Sequence, residues 1–201
     1  MDTPMDPESN LVIVIHGYCS HRLIMAPMCW RLRRRGYRVE NWGYHSLFRS
    51  IDTHAKRLHR DLNDRWSSEP RVCIIAHSMG SIVTRKAIDL GPPPNLDRVV
   101  LLAPPNRGIV FARVLSLGFG WLSRSLAQIS SHSCSYVNQL PQELPVDVGV
   151  VAGTWDLLVP ISKTRLEKEK DRIVIRATHN SVLFSGYVCQ LVDRFLRQGK
   201  F

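Results

Sequence analysis

At 201 residues, 44% of them hydrophobic, the chain is long enough to bury about 70% of its unfolded surface in one core and leaves no spare length for a second domain. Its 27 Lys and Arg outnumber 17 Asp and Glu, for a formal net charge of +10 driven by arginine. That excess suits an anionic membrane surface or an acidic carrier protein. Nucleic acid is the weakest partner, because there is no recognised binding motif and the aromatics are not interleaved with the basic residues in one stripe.

The polar first ten residues carry Asp2, Asp6 and Glu8, so they do not read as a secretory leader, and no apolar run is long enough to span a bilayer. A cytoplasmic location is the expectation. Cysteines stand at 19, 29, 73, 134 and 189, odd in number and without C-x-x-C spacing, which points to neither a disulfide framework nor a zinc site. Cys73 is expected in the core, and Cys19 is expected to be inert.

Leu11–Ile15 is wholly apolar and β-rich, the pattern of a buried parallel strand, and it runs into a loop at His16-Gly17-Tyr18. A helix is expected near Pro27–Arg35, ended by three arginines and Gly36. A strand over Arg38–Trp42 and a helix near Asp52–Trp66 follow. Residues 71–85 read RVCIIAHSMGSIVTR: an apolar strand, a serine between small residues, then a helix-compatible stretch. A nucleophile elbow needs that order, because a sharp strand-to-helix turn leaves no room for bulky neighbours beside Ser78. Gly80 meets the demand fully, and Ala76 requires space for one methyl.

Further strands are expected over Arg98–Ala103, Val146–Gly153 and Arg172–Thr178, with a last helix over Leu183–Arg197. Strands alternating with helices imply an α/β doubly wound, mostly parallel sheet in a single domain. The segment Arg107–Pro145 is apolar and glycine-punctuated, has Arg107, Arg113 and Arg124, and has no carboxylate before Glu143. It reads as a short cap over Ser78, its helical part Val110–Ile129.

An activated serine needs a later acid and then a later histidine, each just beyond a strand end. Asp156 follows the Val146–Gly153 strand and His179 follows Arg172–Thr178. A neutral imidazole takes the serine's proton, and a carboxylate on the other ring nitrogen fixes the tautomer. Asp147 and Asp171 lie within or before strands, and Glu143 lies in a proline-flanked loop. His132 precedes the acid, while His45, His54 and His59 precede the serine. In acyl-transfer enzymes of this architecture the oxyanion hole takes one backbone N–H from the first strand's loop and one from the residue after the nucleophile, here Tyr18 and Met79.

VIVIHGY, ENWGYHSLFRSI, AHSMGSIVTR, LLAPPNRG, GTWDLLVPISKTRLE and THNSVLFS together resemble the α/β-hydrolase superfamily. Within it the chain is similar to small bacterial lipase- and esterase-like hydrolases related to triacylglycerol lipases and PGAP1-type deacylases. The resemblance covers nearly the whole chain; APPN-x-G and D-x-x-V-x-x-x-x-T-R-L-E are its more specific elements, and Ala76 and the THNSVLF histidine loop depart from the pattern. It implies an α/β-hydrolase fold and hydrolysis of a small-molecule or lipid ester through Ser78, His179 and Asp156, without a cofactor or metal. A thioesterase acting on carrier-bound acyl chains and a non-catalytic binding protein of the same fold are the rival readings.

Overall fold

A wholly apolar strand is stable only where both of its faces are covered, and Leu11–Ile15 sits in such a place. The computed structural model describes residues 10–108 and 136–201. Its sheet holds β1 (Asn10–Ile15), β2 (Arg38–Trp42), β3 (Arg71–His77), β4 (Leu96–Leu102), β5 (Asp147–Gly153) and β6 (Asp171–Ile175), in the order β2-β1-β3-β4-β5-β6. Every pairing is parallel. This is the α/β-hydrolase arrangement expected from the sequence, with the sheet parallel throughout.

Side-chain alternation divides the core between the two faces of the sheet. Leu11, Ile13 and Ile15 of β1 join Val72, Ile74 and Ala76 of β3 on one face, where they meet α2 (Ile51–Arg60) and α3 (Met79–Asp89) through Leu58, Ile82 and Val83. Val12 and Val14 join Cys73 and Ile75 on the other, against α1 (Ala26–Arg33) and the C-terminal helix. After α4 (Tyr136–Gln139) and α5 (Ser181–Phe184), that helix is α6 (Gly186–Gln198). Cys73 is a core residue as expected, and burial pushes its thiol up to about 12. No helix among the described residues is long and apolar enough to cross a membrane.

The chain winds outward from β1 to β2 and then returns to place β3 on β1's other side. The crevice beyond the carboxyl ends of β1 and β3 is therefore a topological switch point, the usual ligand site of open α/β sheets. All six strands being parallel, the loops that follow them share this one edge of the sheet.

Helix boundaries differ slightly from expectation. α2 ends at Arg60 and passes into a π-helical turn over Asp61–Arg65. The last helix starts at Gly186 rather than Leu183, because Ser185 is extended and its hydroxyl caps the Val188 N–H. The expected cap helix, Val110–Ile129, lies outside the described residues. Of its flanks, Val137, Leu140 and Leu144 are buried on the α2–α3 face.

A buried arginine ties these flanks to α3. Arg85 of α3 is fully inaccessible, and its guanidinium donates to the Asn106 carbonyl and Oδ1 (3.2 and 3.3 Å) and to the carbonyls of Leu140 and Pro141 (3.3 and 2.8 Å). Burial lowers its pKa to about 10, which still leaves it charged at neutral pH. Asn106 passes the connection on, its Nδ2 donating to the Thr164 carbonyl at 2.8 Å. Arg172, paired with Glu169 at 3.2 Å, donates to the Thr164 hydroxyl. The Asn of APPN-x-G and the Thr of the late TRLE segment thus meet in one buried polar network.

Replacing Asn106 with Ala removes an acceptor from a buried cation and a donor from a buried carbonyl. The expected loss is roughly 2–4 kcal/mol of unfolding free energy. Urea denaturation of both proteins measures it, and an unchanged midpoint would refute the network's structural weight.

Candidate active site

β3 carries small and apolar residues to the middle of the sheet and then stops at His77, where the chain must reverse into α3. Ser78 makes that turn at φ 51, ψ −124, a conformation a non-glycine residue holds only under strain, at a cost of order 1–3 kcal/mol. The Ser78 N–H donates to Leu102 O, the Ser81 N–H donates to Ser78 O, and the Ser81 hydroxyl donates to Ala76 O. Gly80 is required by space: a Cβ there would lie 2.5 Å from the His16 carbonyl oxygen. Gly17 is required likewise, since its Cβ would lie 2.9 Å from that of Ser78. The methyl of Ala76 fits without such a clash, buried in the core beside Ile15 and Leu101.

The structure brings Ser78, His179 and Asp156 into one hydrogen-bonded chain. Ser78 Oγ lies 2.9 Å from His179 Nε2, and His179 Nδ1 lies 2.7 Å from Asp156 Oδ2. The carboxylate only accepts, so Nδ1 carries the proton and Nε2 accepts from the serine. Asp156's side chain is 0% exposed, and its second oxygen accepts from the N–H groups of Leu158 and Val159 at 2.9 and 2.8 Å. Its loop is stitched to the histidine loop by Thr154 N–H to Ile175 O and Trp155 N–H to Ala177 O. β6 stops at Ile175 instead of running on to Thr178, and the carbonyl of Ala177, just beyond its end, bonds to the Asp156 loop.

The rival groups lie elsewhere. Glu143 pairs with Lys168 at the opposite edge of the sheet, where Asp147 and Asp171 open β5 and β6. His45 is exposed, His54 packs under Tyr44, and His132 is outside the described residues. Tyr18 and Met79 begin the two turns that flank Ser78, and among the described residues neither backbone N–H has an acceptor. The N-terminus of α3 adds its partial positive charge at the same place. Cys19, beside Tyr18, is exposed and adopts φ 49. No His, Cys, Asp and Glu cluster among the described residues is arranged to hold a metal.

Two supporting residues were not singled out from sequence. His77 is buried, its ring 4.8 Å from that of His179, and its Nε2–H donates to the His179 carbonyl at 2.9 Å. Its only signal was a polar side chain at the end of an apolar run. Tyr44, from the ENWGYHSLFRSI segment, donates its hydroxyl to the His16 carbonyl at 2.9 Å and stacks on the His16 ring at 4.4 Å. His16 itself donates from Nδ1 to Gly17 O at 2.9 Å, so the loop beside Ser78 is held from two sides.

Burial keeps these histidines neutral. Desolvation first, and then the nearby His179, lower His77 to about 3; desolvation lowers His54 to about 4 and moves His16 in the same direction. A group with a lower pKa folded than unfolded contributes its full stability above about pH 6.5 and loses it as pH falls, because only the unfolded chain takes up the proton. The expected result is a fall in unfolding free energy of about 1.4 kcal/mol per pH unit for each ring, below pH 6.5 and down to about pH 4 for His54 and pH 3 for His77. Denaturant melts from pH 7 to 4.5 test this, and a flat profile would contradict it.

Comparison with known proteins bears on the family and the fold. A search of curated proteins finds no match. Among solved structures, Bacillus licheniformis lipase BlEst2 in mature form is 16% identical, with TM-score 0.74 over 97% of this chain and 93% of that one. A lipase-esterase related protein from Clostridium acetobutylicum is 12% identical, with TM-score 0.69 over 94% of this chain and 95% of the other. Phospholipase PlaB from Legionella pneumophila, solved with thio-NAD, is 18% identical with TM-score 0.64 over 78% of this chain, which spans only 44% of PlaB. At these identities the likeness is one of fold. The sequence model of the hydrolase family described as serine aminopeptidase, S33, matches residues 6–144, well over half of the chain, and the strand, loop and elbow built above fall inside that match: the chain belongs to this family.

Proposed function

We propose that this protein is a serine hydrolase that cleaves carboxylic esters through an acyl-enzyme on Ser78. The observation that carries the reading is the unbroken chain from Ser78 Oγ to His179 to the buried Asp156, at 2.9 and 2.7 Å, on a strained elbow. In the proposed reaction Ser78 Oγ attacks the ester carbonyl carbon while its proton passes to His179 Nε2. Asp156 stabilises the resulting imidazolium. The oxyanion lies between the N–H groups of Tyr18 and Met79. Collapse of the tetrahedral adduct breaks the carbon–oxygen bond, and the departing alkoxide takes the proton from Nε2. Water then attacks the acyl-enzyme and gives a proton to Nε2; collapse of this second adduct breaks the bond between the acyl carbon and Ser78 Oγ, which takes the proton back from Nε2 as the carboxylic acid leaves.

An ester suits this site better than the N-terminus of a peptide. An aminopeptidase must hold its substrate's ammonium group, which calls for a carboxylate beside the scissile bond. Among the described residues the carboxylate joined to Ser78 is Asp156, and it is held by His179. The stretch between Asp97 and Glu143 supplies none.

A fluorophosphonate probe is expected to label wild type at Ser78 and to leave Ser78→Ala unmodified. Folded wild-type protein without label would sink the proposal. On an activated short-chain ester, Ser78→Ala and His179→Ala should each lower kcat by on the order of 10⁶, and Asp156→Asn by about 10⁴. Full activity of Asp156→Asn combined with loss in Glu143→Gln would move the acid to Glu143.

A further inference from the structure

Charge is distributed very unevenly between the two edges of the sheet. At the edge where the strands begin, Asp97, Glu143 and Asp147 stand among the basic residues and pair with them, as in Arg71–Asp97 at 2.6 Å and Lys168–Glu143 at 2.6 Å. At the opposite edge, around Ser78, the loops after β1, β2, β4 and β6 (residues 16–25, 43–50, 103–108 and 176–185) contain no Asp or Glu at all. The loop after β5 contributes Asp156, which is buried and engaged. The same loops present Arg22, Arg107 and Arg176 as exposed cations.

Most of the large apolar side chains exposed among the described residues belong to this edge as well. Leu23 and Phe48 project from the loops after β1 and β2, on one side of Ser78; Trp155 and Leu157 follow β5, and Phe184 lies beyond β6, on the other. Phe48 is 82% exposed and Leu157 93%. Large apolar side chains raised on separate loops around a basic, acid-free rim mark an interaction surface.

We propose that this rim docks the protein on an anionic lipid surface, with the apolar side chains entering the acyl boundary and the arginines meeting phosphate groups. The inference rests on the proposed activity only in that it presents Ser78 to lipid esters. Charge complementarity selects an anionic partner, and the exposed aromatic and leucine tips select a lipid surface over an acidic protein, whose charged face offers nothing to receive them. No spanning helix is required for such attachment. Each basic residue near an anionic leaflet contributes about fivefold to partitioning.

The test is co-sedimentation of the full chain with vesicles of phosphatidylcholine, with or without about a third phosphatidylglycerol, alongside hydrolysis of a short soluble ester. Binding should be at least tenfold stronger with phosphatidylglycerol and should weaken as salt rises. Arg22→Gln with Arg176→Gln should reduce it roughly 25-fold. Phe48→Ser with Phe184→Ser should reduce it at least tenfold. Both variants should hydrolyse the soluble ester like wild type, and Ser78→Ala should bind vesicles undiminished. Equal binding to both vesicle types, or none, overturns the proposal. So does equal retention on poly-L-glutamate with the phenylalanine variant unimpaired, which would make the rim a docking face for an acidic protein. Vesicle binding without ester hydrolysis would remove the proposed activity and leave the docking surface; hydrolysis without binding would do the reverse.

Discussion

The site depends on one strained residue. Ser78 occupies φ 51, ψ −124 because β3 below it and α3 above it are both locked in the core, and the turn between them has no slack. The strain is tolerated only where the surroundings over-determine it, and here they do: the Ser78 N–H is bound to β4, and α3 starts so close to the end of β1 that Gly80 has no room for a methyl. The same closeness brings the His16-Gly17 loop against the serine. Ser78, the flanking N–H groups and the helix N-terminus are therefore set by packing, which is the preorganisation the proposed chemistry requires.

What the sequence revealed, and what it hid, follows from the range of the interactions. The four inner strands were legible because burial on both faces forces long apolar runs, the edge strands β2 and β6 because strands and helices alternate, and the elbow because steric crowding demands small residues at fixed spacing. Asp156 and His179 could be named because each lies just beyond a strand whose carboxyl end shares an edge with β3's. Tyr44 and His77 were not legible. Their roles come from carbonyls far along the chain, Tyr44 on that of His16 and His77 on that of His179, and no local pattern encodes such a partner. The end of β6 was not legible either: the strand stops at Ile175, and the Ala177 carbonyl just beyond it bonds to the Asp156 loop.

Arg85 illustrates a second kind of hidden content. In sequence it is one basic residue late in a helix, which ordinarily points to solvent. Among the described residues it is a buried cation whose hydrogen bonds go to carbonyl and amide oxygens from the segments at 106 and 140–141. A buried charge satisfied in this way is costly to form and more costly to disturb, because removing any acceptor leaves it uncompensated. It thereby fixes both flanks of the β4–β5 connection to the helix that begins just after Ser78, and through Asn106 and Thr164 it fixes the far end of the Asp156 loop as well.

The scarcity of carboxylates around Ser78 also bears on the proposed chemistry. A tetrahedral adduct develops negative charge, and a carboxylate nearby would oppose it in a site where water screens little. Asp156 is fully buried and aimed by two backbone donors at His179 Nδ1. His77 contributes by staying neutral: burial holds it well below the usual imidazole range, so its ring, 4.8 Å from that of His179, adds no charge there. One buried carboxylate, one ring bonded to it and one ring held neutral are thus a single electrostatic arrangement, built inside the fold and separate from the basic rim outside.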